Sequence, residues 1–519
     1  MKLMKAMATV AGLTGLSRIA GFTRDILTAS ILGAGPVADA FFVALKLPNL
    51  FRRITAEGAF SVSFVPLYSE ALEKEGSGRA DAFASNAFAV MLWCLLAITM
   101  GAMLVMPWII HGIAPGFYGD EARYPLAIEF SRVTFPYLLF MSLAALMGGV
   151  LNAHERFAPF AMAPIFFNLC LITALLLSGK FETPGHALSW GVFTAGILQC
   201  TLLYISIRRA RVRLRLVRPH FNSRIKRLFK LMGPGVIGAG VMHLNLFADM
   251  IIASLLATGS ISYLYYADRL NQLPLGMVGI AVGTALLPMM SKAFATKDTK
   301  VANHLFNRAL EVCTLLALPC AIGLFMVSFP VIVTLFRHGA FSFEDAAMTA
   351  FVLTAYALGM PAYIAVKVYS TAYWSKQDTV TPVKASVVST LFNIGISLYL
   401  VLGAKVGVVG IAAGTAMAGW LQISLLARGL KGAAETRLDA RFKKAFIRIL
   451  LACSLMAGYL YFAKKPLLDI YLEDSDQFLQ IGGLVILIGG GAIVYGLVIL
   501  ITGVVKAGDF RKMFERKQL

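Results

Sequence analysis

Residues 25–32 read DILTASIL and residues 249–256 read DMIIASLL, an offset of 224 residues. Further matches recur at offsets of 222 to 225, and these pair Pro66 with Pro288, Ala56-x-Gly58 with Ala281-x-Gly283, Pro136 with Pro361 and Asn168 with Asn393. Each match alone is weak, but the shared spacing indicates an internal repeat. The repeat predicts two halves, residues 1–207 and 233–429, joined by a basic linker at 208–232.

The composition places both halves in a membrane. Of 519 residues 58% are hydrophobic and only 14% charged, and the mean hydropathy is +0.76. A spanning helix takes about 20 residues, and the apolar runs are continuous instead of alternating, which indicates helices and not a barrel. Fourteen apolar stretches are predicted as spans: 7–32, 37–66, 84–110, 126–151, 159–178, 185–207, 233–257, 262–290, 306–336, 347–374, 381–402, 407–427, 445–463 and 478–505.

Six spans separate the two copies of the repeat. Because six is even, both copies have the same orientation, which is typical of transporters built from parallel repeats. We therefore predict an all-α polytopic membrane protein with two six-helix lobes related by a pseudo-two-fold axis around a central cationic cavity. The last two spans, within residues 430–519, lie outside the repeat.

The net charge of +20 orients the chain. With both termini in the cytoplasm, inside connections include 208–230 with ten Lys or Arg and 428–448 with seven. Outside connections hold few basic residues, among them Arg123, Lys180, Lys405, Lys464 and Lys465. Since positive residues favour the cytoplasmic side, most of this charge sets topology, with an added attraction for anionic lipid and no need for a nucleic acid partner.

Several charged residues fall inside predicted spans. They are Arg18, Arg24 and Asp25 in span 1, Asp39, Lys46, Arg52, Arg53 and Glu57 in span 2, and Asp268 and Arg269 in span 8. An Arg at a helix centre costs about 2.5–3.5 kcal/mol on insertion scales. These groups must therefore pair with one another or face a water-filled cavity.

Two interpretations of these charges stay open. Ion pairs would join Arg24 to Asp25 or Asp39, Arg53 to Glu57, and Arg269 to Asp268. The six cationic groups nevertheless outnumber the four acids, and a surplus of arginine favours an anionic ligand such as phosphate or pyrophosphate.

Asp249 in span 7 is isolated from basic residues in the sequence and shares its helix with Asn245. An intramembrane carboxylate is a candidate proton or cation site, to which Asn393 and Thr415 could add oxygen ligands. The alternative, which the sequence supports equally, is that Asp249 is neutral and hydrogen-bonded and serves only to pack its helix against its neighbours.

Other chemistry lacks a sequence signal. The six cysteines lie in apolar stretches without a C-x-x-C pair, so packing is favoured over metal or redox roles. We find no Walker sequence, metal-ligand spacing or catalytic cluster, and predict a transporter without a cofactor and not an enzyme.

Residues 39–60, DAFFVALKLPNLFRRITAEGAF, resemble the signature of the MurJ/MviN family of lipid II flippases. Support comes from SRIAGFTRD (17–25), APGF (114–117), TFPY (134–137), GGVLNAHERF (148–157), YYADRLNQLPLG (265–276), GTALLP (283–288) and KQDTVTPVK (376–384). The resemblance covers residues 1 to about 430.

The resemblance implies a member of the multidrug/oligosaccharidyl-lipid/polysaccharide exporter superfamily in the bacterial inner membrane. It implies two lobes around a cationic cavity and a groove for the undecaprenyl tail formed by the last two helices. The family's cavity arginines correspond to Arg18, Arg24, Arg52 and Arg269, with Asp39 and Glu57 in the same signature. Asp249 falls where some members have an ion site.

The implied activity is transfer of lipid II, the undecaprenyl-pyrophosphate disaccharide-pentapeptide, to the periplasmic leaflet during peptidoglycan synthesis. A monovalent cation, a proton or the membrane potential would drive it, and cell-wall synthesis proteins are expected partners. The alternatives are another exporter of the superfamily, which would move drugs or other polyprenyl-linked oligosaccharides, and a cell-wall scaffold without transport.

Overall fold

The computed structural model describes residues 2–52, 60–296, 298–472 and 476–505, and within those ranges it contains helices and no strand. The first nine helices are α1 Lys2–Leu32, α2 Pro36–Arg52, α3 Ser61–Glu75, α4 Ser77–Leu104, α5 Met106–Ile113, α6 Arg123–Thr134, α7 Tyr137–Ala153, α8 Ala158–Leu176 and α9 Pro184–Arg209. The remaining helices are α10 Ser223–Ser254, α11 Ser260–Ala295, α12 Thr299–Phe336, α13 Phe343–Ser375, α14 Val380–Leu398, α15 Val408–Gly429, α16 Ala440–Leu472 and α17 Gln477–Ile501.

Each predicted apolar stretch overlaps at least one of these helices. In the described part of the chain, ten helical segments are long and apolar enough to cross a membrane: Ser77–Leu104, Arg123–Ala153, Ala158–Leu176, Pro184–Arg209, Thr299–Phe336, Phe343–Ser375, Val380–Gly403, Val408–Gly429, Ala434–Leu472 and Gln477–Ile501. The prediction of an all-helical, multi-pass membrane protein is thereby confirmed. The number fourteen stays a prediction.

The chain forms two compact units. The first contains Met1–Ser262 and His338–Phe341, and the second contains Tyr263–Arg337 and Ser342–Leu519. The first unit thus extends past the linker at which we predicted the boundary, because α10 and the turn after it contact earlier helices. The predicted division into 1–207, 208–232, 233–429 and 430–519 remains a prediction.

Pro48 lies inside α2 and cannot donate a backbone hydrogen bond to the Ala44 carbonyl. The Thr134 hydroxyl, on α6, donates to that carbonyl at 3.0 Å and is fully buried. A neighbouring helix therefore satisfies the oxygen that the proline leaves free, and α2 continues to Arg52.

The connection after α9 is extended and lies along α4. Asp81 accepts a hydrogen bond from the Arg213 amide at 2.9 Å, and Ser85 accepts one from the Arg215 amide at 3.0 Å. Asn86 exchanges two hydrogen bonds with the backbone of residue 220, at 2.8 and 2.9 Å. Side chains of α4 thus supply the partners that an isolated extended chain lacks.

The connection after α15, in the second unit, is held in the same manner by α12. Asn303 donates to the carbonyls of Ala434 and Arg437 at 2.9 and 2.7 Å, and Asn307 donates to that of Arg437 at 2.9 Å. The amide of Asp439 donates back to Asn307 at 2.9 Å. These bonds fix the chain just before α16.

Within the second unit, helices α16 and α17 pack against α12. Ile449, Ala452 and Cys453 form a buried cluster with Ile499. The Tyr495 hydroxyl donates to the Leu315 carbonyl at 2.7 Å. The two helices beyond the predicted repeat are therefore anchored to one helix of the second half.

Gly185 marks a close approach of three helices in the first unit. It lies at the start of α9, where a Cβ would sit 2.5 Å from the ring of Phe130 on α6 and 2.7 Å from Val37 on α2. Phe130 is fully buried, so its ring has little room to move.

We expect Gly185→Ala to destabilise the purified protein by about 1–3 kcal/mol, the usual range for overpacking. Gly179→Ala is the matched control, because no atom lies within 4 Å of its added Cβ. Thermal unfolding in detergent measures both. Equal midpoints for the two variants would contradict the packing described here.

Candidate functional site

Arg24 and Asp25 form a buried ion pair within α1. The Arg24 guanidinium donates to Asp25 Oδ1 from Nη2 at 2.6 Å and from Nε at 3.1 Å. Arg24 is 9% exposed and Asp25 4%. Of the pairings considered for Arg24, the structure contains the one with Asp25, which lowers the energy of burying both charges.

Asn168 on α8 orients the same guanidinium. Its Oδ1 accepts from Arg24 Nη1 at 2.9 Å, and its Nδ2 donates to the Ser17 carbonyl at 2.9 Å. Phe167 adds a ring 5.7 Å from the guanidinium carbon. Side chains of α8 therefore fix the orientation of the Arg24 guanidinium.

In the sequence, Asn168 was noted only because it corresponds to Asn393 in the internal repeat. Its contact with Arg24 was missed. A polar amide in the apolar stretch 159–178 was the available signal, because a buried amide needs hydrogen-bond partners. Its partner could not be identified, since Arg24 lies 144 residues away.

The other predicted arginines occupy different positions. Arg18 lies on α1 with an exposed side chain, six residues before Arg24, or about 9 Å along the helix. Arg52 ends α2, is half-buried, and has its Nε 3.4 Å from Asn49 Oδ1. Arg53 and Glu57 lie outside the described residues.

Arg269 belongs to the second unit and lies on α11. Its Nη2 is 3.7 Å from Asp268 Oδ2, and its guanidinium carbon is 4.9 Å from the centre of the Tyr265 ring. Both charged side chains keep about a third of their surface exposed, 31% and 36%. The predicted Arg269–Asp268 pair is present, in a partly solvated form.

Asp39 is fully buried and accepts three hydrogen bonds from the turn that precedes α11 and from its first residues. The donors are the Gly259 amide at 2.7 Å, the Ser262 amide at 3.0 Å and the Ser262 hydroxyl at 2.7 Å. The carboxylate thus caps a helix N-terminus, where backbone amides and the helix dipole both favour a negative charge. Asp39 thereby connects α2 to the first residues of α11, which belong to the same unit. Its headgroup role stays a prediction.

Two further contacts lie near this cap. The Gly116 amide donates to Ser254 Oγ at 3.1 Å, and a Cβ on Gly116 would lie 2.1 Å from the Ser254 carbonyl oxygen. The Ala340 amide donates to the Ser30 carbonyl at 2.7 Å. We call these contacts and the Asp39 cap the outer cluster, because each involves a connection predicted to be outside.

Arg123 extends the outer cluster. It donates to Asp120 from Nε at 2.6 Å and to the Leu256 carbonyl from Nη1 at 3.3 Å. Burial would raise the pKa of the Asp120 carboxyl, but hydrogen bonds from the Arg123 amide, the Arg123 guanidinium and the Ala122 amide outweigh it and hold the pKa below its usual value. The sequence identified Arg123 only as a rare outside charge.

The predicted ion-site residues are divided between the units. On α10, Asn245 Nδ2 lies 3.4 Å from Asp249 Oδ2, and both side chains are half-buried. On α14 the buried Asn393 accepts from Ser397 at 3.1 Å, and the Thr415 hydroxyl donates to Ile411 in its own helix at 3.0 Å. Within the described ranges, no group of three His, Cys, Asp or Glu side chains is placed to hold a metal.

We expect Asp39→Asn to speed hydrogen exchange of the Gly259 and Ser262 amides by about tenfold or more, because a bond to a charged acceptor contributes about 1.5–3 kcal/mol. Exchange is read by mass spectrometry on the full chain. Asp298→Asn is the matched control, since Asp298 accepts the Val301 amide at the start of α12 and should affect exchange only there. Unchanged exchange at Gly259 and Ser262 in Asp39→Asn would refute the cap.

The family profile described as "Lipid II flippase MurJ" matches residues 28–472. A relative from Rhizobium meliloti (strain 1021), named "Probable lipid II flippase MurJ", is 39% identical over 468 residues, or 89% of this chain and 87% of the relative.

Solved structures of related proteins also match this chain. "Lipid II flippase MurJ, inward closed conformation" matches with a TM-score of 0.78 and 28% identity over 94% of this chain and 97% of that one. An inward-facing multidrug resistance MATE family transporter of the MOP superfamily matches at 0.67 with 12% identity, over 82% and 99%, and shares the fold alone. This chain is a member of the family described as lipid II flippase MurJ.

Proposed function

We propose that this protein is a transporter of the bacterial inner membrane that moves lipid II from the cytoplasmic to the periplasmic leaflet. The observation that supports this proposal is the buried Arg24, which Asp25 and Asn168 hold in position. The family to which the chain belongs is named for lipid II. The polyprenyl tail would stay in lipid while the headgroup crosses through the protein, with α16 and α17 proposed as the wall of a groove for the tail.

Arginine suits the pyrophosphate. Its planar fork makes paired, charge-assisted hydrogen bonds to phosphate oxygens. Arg24 is held in position before ligand arrives, so less conformational entropy is lost on binding. The further proposed headgroup ligands are Arg18, Arg52, Arg53 and Arg269. The acids proposed to balance their charge are Asp25, Asp39 and Glu57.

Two six-helix lobes are proposed from the spacing of helix ends. Several helix boundaries recur 222 residues apart: Leu32 with Ser254, Ser77 with Thr299, Ala153 with Ser375, and Ala158–Leu176 with Val380–Leu398. This is one of the offsets at which the residue matches recur. The coincidence supports a duplicated unit and, with α16 and α17 added, fourteen spans.

A second correspondence supports the duplication. Asp81 and Ser85 of α4 lie 222 residues before Asn303 and Asn307 of α12. Each pair hydrogen-bonds to the backbone of the chain that follows the sixth predicted helix of its half. A shared way of anchoring that chain is expected of two copies with a common origin.

Alternating access is the proposed mechanism, with both termini cytoplasmic. The outer cluster closes contacts among connections that the charge distribution puts outside, and its opening is proposed to release the headgroup. A hydrogen bond contributes about 0.5–1.5 kcal/mol net, or up to about 3 kcal/mol to a charged group. The outer cluster is therefore stable but reversible, as a gate requires.

Energy for the cycle is proposed to come from the membrane potential or from a monovalent cation or proton. Asp249 and Asn245 are close enough to share such an ion, and Asn393 and Thr415 are the proposed additional ligands. This assignment follows from the cost of placing a carboxylate in a membrane-spanning helix.

Arg24→Ala and Arg52→Ala should each abolish complementation of a flippase-depleted strain, while the proteins still insert in the membrane. Arg24→Lys should rescue only in part, because a single ammonium cannot contact Asp25 and Asn168 as the fork does. Arg79→Ala, an exposed arginine 3.8 Å from Glu75, is the matched control and should complement. Full rescue by both alanine variants would overturn the headgroup site.

Reconstituted protein should make labelled lipid II accessible on the far side of vesicles. The rate should fall by at least about a hundredfold in Arg24→Ala, if the arginine contributes about 3 kcal/mol through charge-assisted bonds. Accessibility of the label to an added degrading enzyme is the measurement. Absence of transfer across a range of potentials and ion gradients would favour a scaffold, and transfer of unrelated drugs alone would favour another exporter.

A further inference from the structure

Buried apolar and exposed basic side chains alternate along the connection between α9 and α10. Val212 and Leu214 are buried, each 4% exposed, in the segment whose backbone bonds to α4. The basic side chains before, between and after them are exposed, namely Arg211, Arg213, Arg215 and Arg218. The residues from 208 to 230 include ten Lys or Arg and no Asp or Glu.

The same connection follows α4 toward its apolar part. Residue 213 bonds to Asp81 and residue 220 to Asn86, five positions further along the helix, or about 7.5 Å. The apolar stretch of α4 begins at about residue 84. The segment 216–221 therefore lies at the level where α4 enters the membrane.

Large apolar side chains are exposed at that level. Leu216 is 68% exposed and Val217 38%. Phe221 and Phe229 stack at 6.1 Å between ring centres, although they are 58% and 42% exposed. Exposed aliphatic and aromatic groups beside basic ones are typical of segments that lie in the headgroup region of a bilayer.

We propose that residues 211–230 form a docking surface for anionic phospholipids of the cytoplasmic leaflet. The arginines contact the lipid phosphates, and the apolar side chains enter the interface beside α4. Charge complementarity selects this occupant, because residues 208–230 contain no acid and the leaflet is anionic. Arg224 and Arg227 pair with Glu75 and Glu70 of α3, so the lipid contacts are assigned to the exposed arginines at 211, 213, 215 and 218. The bound lipid thus fixes the chain between α9 and α10 at the membrane surface, independently of transport.

The test uses Phe221→Trp in the full chain, reconstituted in phosphatidylcholine vesicles. The fluorescence added to that of the five native Trp should be quenched by brominated phosphatidylglycerol at a lower mole fraction than by brominated phosphatidylcholine. Adding Arg213→Gln, Arg215→Gln and Arg218→Gln should raise the phosphatidylglycerol fraction needed at least about tenfold, since each basic group contributes about fivefold. Folding should survive, because α4 binds the backbone and not these side chains.

Lys443→Gln, Lys444→Gln and Arg448→Gln remove the same charge from exposed positions on α16 and form the matched control, which should keep the lipid preference. Equal quenching by the two lipids, no quenching by either, or equal loss in both triple variants would overturn the proposal. Relief of the brominated-phosphatidylglycerol quenching by undecaprenyl pyrophosphate but not by an equal amount of unbrominated phosphatidylglycerol would also overturn it, in favour of the transported lipid as occupant.

Discussion

A charged or polar group inside a membrane protein must find a partner, because hydrocarbon offers none. This constraint explains the local packing of the first unit. Arg24 is buried beside Asp25 and reaches Asn168 on α8, and the Ala44 carbonyl is satisfied by Thr134 on α6. Each polar group requires a particular neighbouring helix at hydrogen-bond distance, so polar residues specify which helices contact one another and where.

The same constraint operates at the outer cluster with a different consequence. Asp39 is buried, but its partners are amides and a hydroxyl in the turn and first residues of α11. Hydrogen bonds to a charged acceptor contribute about 1.5–3 kcal/mol each, which is small against the stability of a helix packed along its length. A transporter can therefore break such a contact during its cycle without unfolding, whereas the Arg24 cluster lies between packed helices.

Much of the fold was predictable because it depends on local properties. Continuous apolar stretches predict the helices, and the shared residue spacing predicts a duplication that the helix ends support. The Arg24–Asp25 and Arg269–Asp268 pairs were among the alternatives, since their members are adjacent. Asn168 and Thr134 were not predicted as partners, because an uncharged polar residue gives no sign of the atom it contacts 144 or 90 residues away. The cap made by Asp39 was not predicted, since a carboxylate looks the same in sequence whether it balances arginine or caps a helix; its headgroup role stays a prediction.

By itself, the amino-acid sequence determined that this chain is a helical membrane protein, which charges its helices carry and which family it resembles. The membrane character follows from transfer free energies, which add up along the chain. The family resemblance follows from the residues and their spacing. Only the tertiary structure decided that α8 orients Arg24, that Asp39 caps α11, and that α4 and α12 anchor the connections after α9 and α15. The physical reason is that a hydrogen bond depends on distances of about 3 Å, and only the packing of whole helices brings residues so far apart in sequence to that distance.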